Sequence, residues 1–414
     1  MPELVDVRDV ALADIYKAGV RAATLIRDGD DIVFRYLPEY LAAGDLPALA
    51  YRLPKTEQPL VTHASHLHSF FAGLLPEGLR LQATIDATRS SADDHLSLLL
   101  AVGADAIGDV QVVADGEPAD AVTAAVDMAE PAQLDFAALF SQAVSGDPQL
   151  LDRRALPGVQ HKLSASKLST PLHTSAGAAI LKLNPPTHPR LVENEHFFLA
   201  LAAACGLATP EHQLLYDQRG AAGLLVTRFD RDASIRGARV QRLAQEDACQ
   251  VLDRYPGSKY RLSLQAVITG LAGAVAALGG SRAATTLQAL EISAFSYLIG
   301  NGDLHAKNLS ILKPAGRPWM LAPAYDLLCT RAYQGDDDMA LEFFGRRSAM
   351  PRAHWLSAAR QLGIPEAAMD RSLQRLVSRA APWIERVAEI GFDVKITARI
   401  ERQLRARSRE LSGQ

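Results

Sequence analysis

An Asp and an Asn five residues apart, followed downstream by a second Asp, form the most informative chemical pattern of the sequence. The pattern lies in the run Asn301-Gly302-Asp303-Leu304-His305-Ala306-Lys307-Asn308, and Tyr325-Asp326 comes after it. In protein-kinase catalytic loops an Asp accepts the substrate hydroxyl proton, and an Asn five positions later ligates magnesium. Oxygen ligands suit Mg²⁺, and proteins supply only a few of them to each ion. The spacing therefore predicts phosphoryl-transfer chemistry with ATP and Mg²⁺.

A short hairpin is predicted between Asn308 and Asp326. Mostly apolar residues occupy 309–312 and 319–321, and the stretch Pro314-Ala315-Gly316 between them is typical of a turn. Such a hairpin would bring Asp326 back to the loop as a second metal-binding carboxylate.

The upstream sequence contains the other parts that ATP chemistry requires. Lys182 lies in the apolar run 178–183, and a buried Lys needs an anionic partner such as a phosphate. A helix is predicted from 192 to 204, where either Glu193 or Glu195 would pair with Lys182 as a kinase helix Glu does. Alternatively, these carboxylates only favour the helix N-terminus. A hairpin at 213–226 then runs into residues 227–230, the position of an adenine-binding hinge.

Residues 156–164 stand before Lys182, where a loop that covers phosphates would lie. This stretch contains a single Gly, Gly158, and matches neither G-x-G-x-x-G nor a Walker A motif. Spacing alone is equally compatible with an ordinary Pro-Gly turn.

These segments together resemble the HipA family of bacterial toxin kinases. The resemblance rests on motifs that recur in order along most of the chain: residues 36–41, 71–78 and 96–108, then Gly158-Val159-Gln160-His161-Lys162, Leu181-Lys182-Leu183, Asn194-Glu195, Arg228-Phe229-Asp230, Gln245-Glu246-Asp247, the loop 302–308 and Tyr325-Asp326.

The resemblance implies a serine/threonine protein kinase with roles for particular residues. Asp303 would be the catalytic base, Asn308 and Asp326 the metal ligands, and Lys182 a phosphate contact. The remaining contacts to ATP would come from Pro157, Gly158, Val159, Gln160, His161, Lys162, Thr227, Arg228, Phe229, His305, Ala306, Lys307 and Tyr325. For His305, a hydrogen-bonding role within the loop is favoured over proton transfer.

The resemblance also implies partners. Family members phosphorylate translation factors, chiefly aminoacyl-tRNA synthetases, and bind a small helix-turn-helix antitoxin that represses their operon. Contact with operator DNA is expected mainly through the antitoxin. The family often carries an inhibitory phosphoserine three residues before the loop Gly, but this chain has Ala155 there. Either the switch is absent, it has moved to Ser164 or Ser166, or the position has been altered.

Composition agrees with a cytoplasmic globular protein. The net charge of −4 argues against a large non-specific nucleic-acid surface, although arginines are concentrated near the C-terminus, where a solvated helix face is favoured. Cys205, Cys249 and Cys329 are widely spaced, which predicts buried thiols rather than disulfides or a zinc site. No signal peptide is expected, and the uncharged stretch 264–280 is interpreted as a packed helix rather than a membrane span.

We expect an α+β, bilobal protein-kinase-like fold with an N-terminal accessory subdomain. The predicted divisions are residues 1–115 for the accessory subdomain, 132–230 for the small lobe with phosphate loop and hinge, and 231–414 for the helical large lobe with the catalytic loop. Residues 114–131 are predicted to connect the first two, 232–239 to form a polar insertion, and 333–345 to occupy the place of an activation segment. The predicted large-lobe helices are 245–252, 262–278, 285–298, 353–362, 366–380, 382–390 and 394–411, with Pro382 as a break.

Three functional hypotheses remain open from the sequence. The first is an active protein kinase, favoured because Lys182, Asp303, Asn308 and Asp326 are all present. The second is a catalytically weak kinase-like binding module that acts as co-repressor with the antitoxin. The third is a metal-dependent hydrolase built on His305 with Asp303 and Asp326, which lacks a clear third ligand. Gln245-Glu246-Asp247 is left outside the catalytic set, since carboxylates at a helix start explain it equally well.

Overall fold

The computed structural model describes residues 7–119, 134–144, 168–174, 177–232, 240–333 and 338–414. Several predictions lie outside these ranges: the phosphate loop at 157–162, Ala155 with Ser164 and Ser166, most of the connection 114–131, most of the insertion 232–239, and residues 334–337 of the segment after the catalytic hairpin.

The N-terminal unit, residues 7–119, is built on an antiparallel sheet. Its strands are β1 (Leu12–Lys17), β2 (Val20–Asp28), β3 (Asp31–Tyr36), β4 (Leu60–Thr62) and β5 (Val110–Ala114), in the order β4-β3-β2-β1-β5. Its helices are α1 (Pro38–Ala42), α2 (Ser69–Ala72), α3 (Gly78–Thr88) and α4 (His95–Val102). Ile32, Phe34 and Tyr36 alternate along β3 and are all buried, because every second residue of a strand faces the same side.

The small lobe contains a second antiparallel sheet. Its strands are β6 (Leu168–Thr174), β7 (Gly177–Leu183), β8 (His212–Tyr216) and β9 (Ala222–Thr227), in the order β6-β7-β9-β8. Its helices are α5 (Phe136–Val144) and α6 (Leu191–Ala204). Leu181 and Leu183 of β7 pack with Phe136 of α5, and β9 contacts α6. The strand and helix predicted around Lys182 and Glu195 are thus present.

The large lobe is mainly helical and contains the largest core. Its helices are α7 (Ala248–Val251), α8 (Leu264–Ala277), α9 (Arg282–Ile299), α10 (Arg352–Gln361), α11 (Glu366–Ile384) and α12 (Val394–Ser412). Its strands are short: β10 (Arg231–Asp232), β11 (Gln241–Arg242), β12 (Gln245–Asp247), β13 (Ser310–Leu312) and β14 (Met320–Leu321). Residues of α8, α9, α10, α11 and α12 bury one continuous apolar cluster around Phe295 and Trp355. The predicted hairpin is formed by β13 and β14.

Two predictions about the large lobe are wrong. The helix predicted from residue 245 begins only at Ala248, because Gln245–Asp247 pair as β12 with β13 and Asp247 then caps α7 by accepting from the Gln250 backbone N–H. Pro382 does not break α11, which continues to Ile384. Pro382 lies in the last turn of that helix, so its missing N–H removes only one of the final hydrogen bonds.

Candidate active site

Lys182 and Glu195 form a buried ion pair between β7 and α6. The distance between Lys182 Nζ and Glu195 Oε1 is 2.6 Å, and both side chains are buried. Of the two carboxylates considered from the sequence, Glu195 is therefore the partner. Glu193 instead accepts hydrogen bonds from Arg190 and Asn184.

Asp326 also accepts a hydrogen bond from Lys182, so one ammonium group contacts two carboxylates. Burial alone would lower the pKa of Lys182, but Asp326 first and Glu195 second outweigh it and raise the pKa above the usual value of a Lys. Lys182 is consequently charged at neutral pH. This contact joins the small lobe to the segment that follows the catalytic hairpin.

The backbone of Asp326 adopts a left-handed conformation, with φ of +53°. This region is uncommon for residues other than Gly, and functional sites are enriched in such strained positions. Asn194 of α6 fixes the same segment, since its side chain donates to the Cys329 carbonyl and accepts from the Cys329 N–H. The carboxylate of Asp326 is thereby held opposite Lys182.

The catalytic loop begins where α9 ends, and Asp303 lies inside it. Tyr260 donates its hydroxyl hydrogen to Asp303 Oδ1 at 2.7 Å. The other oxygen, Oδ2, is buried and has no hydrogen-bond partner among the described residues. A buried carboxylate oxygen without a donor is costly unless a ligand uses it. Asp303 thus has one oxygen fixed by Tyr260 and one buried oxygen that accepts no hydrogen bond from the described residues.

Gly302 allows the loop to pack closely against the segment after Asp326. A Cβ at this position would lie 2.9 Å from both the Thr330 hydroxyl oxygen and the Asp338 carbonyl. The Gly302 N–H donates to Thr330 Oγ1, and the Thr330 hydroxyl in turn donates to the Gly300 carbonyl. The motif Gly is therefore required by close packing.

His305 is buried beside Tyr260, with the two rings at 5.1 Å and nearly perpendicular. Burial lowers the pKa of His305 to about 4, so the ring is neutral at physiological pH. A neutral His cannot act as a fixed positive charge for phosphates. This agrees with the scaffold role favoured from the sequence, although its Nδ1 has no hydrogen-bond partner among the described residues.

One cavity contains most of the candidate residues around the loop. Among the described residues its lining includes His305, Lys307, Asn308, Tyr325 and Asp326 from the predicted site, and Gly73, Leu74, Glu77, Ile107, Gln245, Asp247, Gln250, Lys259 and Ser310 from elsewhere. Asp303 is not part of this lining. Asn308 and Asp326 face the same space, and an amide and a carboxylate are both suitable ligands for Mg²⁺.

Phe229 and Arg228, two of the residues predicted for the hinge, contact different parts of the protein. Phe229 packs against Tyr325, with ring centroids 5.6 Å apart, so the hinge and the Asp326 segment are adjacent. The Arg228 guanidinium points to the N-terminal unit and forms ion pairs with Asp105 and Asp230 at 2.9 and 2.8 Å. Any contact of residue 228 with a nucleotide would therefore involve its main chain.

Several residues around the loop were missed in the sequence. Tyr260 and Lys259 lie in a stretch without a recognisable motif, and Glu77 was noted only as part of an N-terminal resemblance. Asp247 was set aside as a helix-capping group, yet it both caps α7 and lines the cavity. The one available signal for Asp247 was its place in the Gln245-Glu246-Asp247 motif.

The structure also tests the prediction made for the three cysteines. Cys205, Cys249 and Cys329 are free and buried, as predicted. Within the described ranges no helix has the length and apolar character needed to cross a membrane, and no group of three or more His, Cys, Asp or Glu side chains is arranged to hold a metal ion.

Comparison with known proteins identifies the family and the fold. Models of the HipA N-terminal domain and the HipA-like C-terminal domain match residues 13–113 and 154–384. The chain is 31% identical over 388 residues to a Sinorhizobium fredii protein named "Putative kinase Y4mE", covering 89% of this chain and 90% of that one. It is 26% identical over 292 residues to the serine/threonine-protein kinase toxin HipA of Shewanella oneidensis, covering 66% and 65%.

A solved structure extends the likeness to three dimensions. The complex of HipA, HipB and operator DNA from Shewanella oneidensis MR-1 contains a chain that matches with a TM-score of 0.72 and 20% identity over 96% of both chains. The architecture is therefore the predicted α+β, kinase-like one. Since the C-terminal family model alone covers more than half of the sequence, this chain belongs to the HipA family.

Proposed function

We propose that this protein is an ATP- and Mg²⁺-dependent serine/threonine protein kinase that acts as the toxin of a toxin–antitoxin pair. The observation that carries the proposal is the contact of Lys182 with both Glu195 and Asp326. Protein kinases require a strand Lys paired with a helix Glu, together with a metal-binding Asp in place. The names of the relatives as kinases point in the same direction.

Asp303 is proposed as the base that accepts the hydroxyl proton of the protein substrate. Its support is the combination of a fixed Oδ1, held by Tyr260, with a buried Oδ2 that lacks a donor among the described residues. A general base must present a free oxygen in a defined orientation to the proton that it accepts. Burial lowers the pKa of the neighbouring His305 to about 4, which makes its ring a weak base.

Asn308 and Asp326 are proposed to hold Mg²⁺ at the cavity that they share. Mg²⁺ bound to ATP neutralises phosphate charge and favours transfer of the terminal phosphoryl group. Asp326 is occupied by Lys182 here, so binding of the nucleotide would let Lys182 contact phosphate oxygens while it keeps Glu195. Lys182 thus has an anionic partner both with and without nucleotide.

The proposed partners follow from the family and from the solved complex. HipA of Shewanella oneidensis forms a complex with HipB and operator DNA. For this chain we propose a helix-turn-helix antitoxin as the partner, with operator DNA contacted mainly through it. The proposed substrate is a translation component of the aminoacyl-tRNA synthetase class, and the proposed location is the cytoplasm.

The experiment is incubation of the purified chain with labelled ATP, Mg²⁺ and a bacterial lysate, with Asp303→Asn as the matched control. Label on a discrete protein band with the native chain and not with Asp303→Asn supports the kinase. Release of inorganic phosphate without labelled protein would indicate a hydrolase. ATP binding without either product, together with binding to the antitoxin, would indicate the co-repressor module.

A further inference from the structure

Glu77 of the N-terminal unit contacts two lysines that belong to the kinase body. It stands at the start of α3, and its oxygens lie 2.5 Å from Lys259 Nζ and 2.6 Å from Lys307 Nζ. All three side chains are buried, and Lys259 is 0% exposed. One carboxylate from the accessory region therefore balances two ammonium groups in the interior.

Each of these lysines is part of the catalytic loop or adjoins it. Lys307 lies in the single turn Ala306–Asn308, directly before the proposed metal ligand Asn308. The Lys259 carbonyl accepts from the Ala306 N–H at 3.1 Å. The residue after Lys259 is Tyr260, which donates to Asp303. Glu77 thus reaches both ends of the loop through two different lysines.

The charges make this contact hard to replace. Burial alone would raise the pKa of Glu77, but the nearby Lys307 and Lys259 outweigh it and hold the pKa well below the usual range. Lys307 has a second carboxylate, Asp247, only at 4.0 Å, and its other hydrogen bond goes to the Gly73 carbonyl of the N-terminal unit. A neutral residue at 77 would leave Lys259 and Lys307 short of negative charge.

We propose that Glu77 is a positioning residue of the active site, through which the N-terminal unit holds the catalytic loop in its working geometry. The consequence for catalysis rests on the proposed kinase function, whereas the effect on the loop does not. Displacement of reacting groups by about 1 Å can cost on the order of a hundredfold in rate. Loss of Glu77 is therefore expected to reduce turnover while the nucleotide contacts of Lys182 and Glu195, in the small lobe, remain.

The alternative is that Glu77 only attaches the N-terminal unit to the kinase body. Ser69→Ala is the control for that role, because Ser69 lies in the same unit, is buried, and donates to Asp253 across the same interface at 2.6 Å. Asp253 is beyond the end of α7 and outside the catalytic loop. Ser69→Ala weakens the attachment without removing a contact to the loop.

The first measurement is hydrogen exchange of the hydrogen-bonded amides of His305, Ala306 and Asn308 in the full chain. In Glu77→Gln we expect their exchange to become about tenfold faster or more, a change not seen in Ser69→Ala. If Glu77→Gln does not fold, the double variant Glu77→Leu/Lys259→Met replaces the pair by apolar groups and still removes the nearest carboxylate of Lys307. Unchanged protection in the folded variant would overturn the proposal.

The second measurement is steady-state kinetics of phosphoryl transfer. Glu77→Gln, or the double variant, should lower kcat about tenfold or more, whereas Ser69→Ala should leave kcat within about twofold of the native value. Faster exchange with unchanged kcat would overturn the catalytic part of the proposal. If the native chain itself transfers no phosphate, the proposed function fails, and hydrogen exchange alone decides whether Glu77 holds the loop.

Discussion

Two lysine–carboxylate clusters flank the catalytic loop, and the ratio of positive to negative charges in one is the reverse of that in the other. The Lys182 cluster (Lys182, Glu195 and Asp326) has one cation and two carboxylates. The Glu77 cluster (Glu77, Lys259 and Lys307) has one carboxylate and two cations. They also differ in access to solvent, since the side chain of Asp326 is 32% exposed whereas no side chain of the Glu77 cluster exceeds 10%.

From these differences in charge and exposure we infer that contacts of the Lys182 cluster can be exchanged for contacts to a ligand, whereas those of the Glu77 cluster are fixed. The Lys182 cluster has an excess of negative charge and its Asp326 is partly exposed, so we expect that a metal ion or a nucleotide would replace one of its contacts. The Glu77 cluster also lines the cavity, but its side chains are at most 10% exposed, and breaking it would leave charges buried without a partner, which is strongly destabilising. We therefore expect substitutions in the first to change ligand binding and substitutions in the second to change stability and loop geometry.

The largest expected effect on catalysis is that of Asp303→Asn, in the loop between the two clusters. We expect phosphoryl transfer to fall about a hundredfold or more, because a general base contributes on the order of that factor. ATP affinity by calorimetry should be nearly unchanged, because Asp303 is not part of the cavity lining. Asp86→Asn, a surface carboxylate on α3, is the control. Activity retained within about tenfold would contradict the assignment of Asp303 as the base.

The second effect is on stability and compares the two clusters directly. Glu77→Gln should lower the free energy of unfolding by about 3–5 kcal/mol, since it removes one partner of a buried ion-pair network. Asp326→Ala should lower it by less than about 1 kcal/mol, because the partly exposed Asp326 leaves Lys182 still paired with Glu195. Denaturant titration measures both values. Equal losses would show that the two clusters do not differ as described.

Prediction from sequence succeeded where the relevant residues are close together or in a recognised order. The hairpin between Asn308 and Asp326 and the pairing of Lys182 on a strand with Glu195 on the next helix both follow from local patterns. The contacts of Glu77 join residues separated by 182 and 230 positions. A local pattern contains no information about such pairs, which arise only when the N-terminal unit packs against the loop.

The error at Gln245–Asp247 has a similar cause. Local preference favoured a helix there, but pairing with β13 made the segment a strand. Strand formation depends on a partner that lies far along the chain, so tertiary context overrides local propensity. The same strand buries Glu246, whose surroundings differ from those of both clusters.

The third expected effect is a pH dependence of stability that arises from Glu246. One Glu246 oxygen accepts from the Tyr51 N–H, and the other is buried without a hydrogen-bond partner among the described residues. Burial raises the pKa of Glu246 to about 7 from its usual 4.5. Between these pH values the folded chain binds more protons at this group than the unfolded chain, so its contribution to stability declines as pH rises.

Glu246→Gln tests this dependence, because Gln does not ionise and can still accept from Tyr51. Relative to the native chain, the variant should be more stable at pH 8 by up to about 3 kcal/mol, and the difference should shrink toward zero near pH 4.5. Thermal or urea unfolding across that pH range measures it. A difference that does not vary with pH would show that Glu246 is not the titrating group.

The smallest expected effect is on nucleotide binding by Asp326→Ala, and its sign depends on the metal. With Mg²⁺ present, loss of an anionic ligand should weaken ATP binding about tenfold. Without Mg²⁺, ATP affinity should stay the same or increase, because Lys182 no longer has Asp326 as a competing partner and is free to contact phosphates. Calorimetry with and without Mg²⁺ separates the two. Equal weakening in both conditions would mean that Asp326 stabilises the site without binding the metal, and the exchangeable character of the Lys182 cluster would then be disproved.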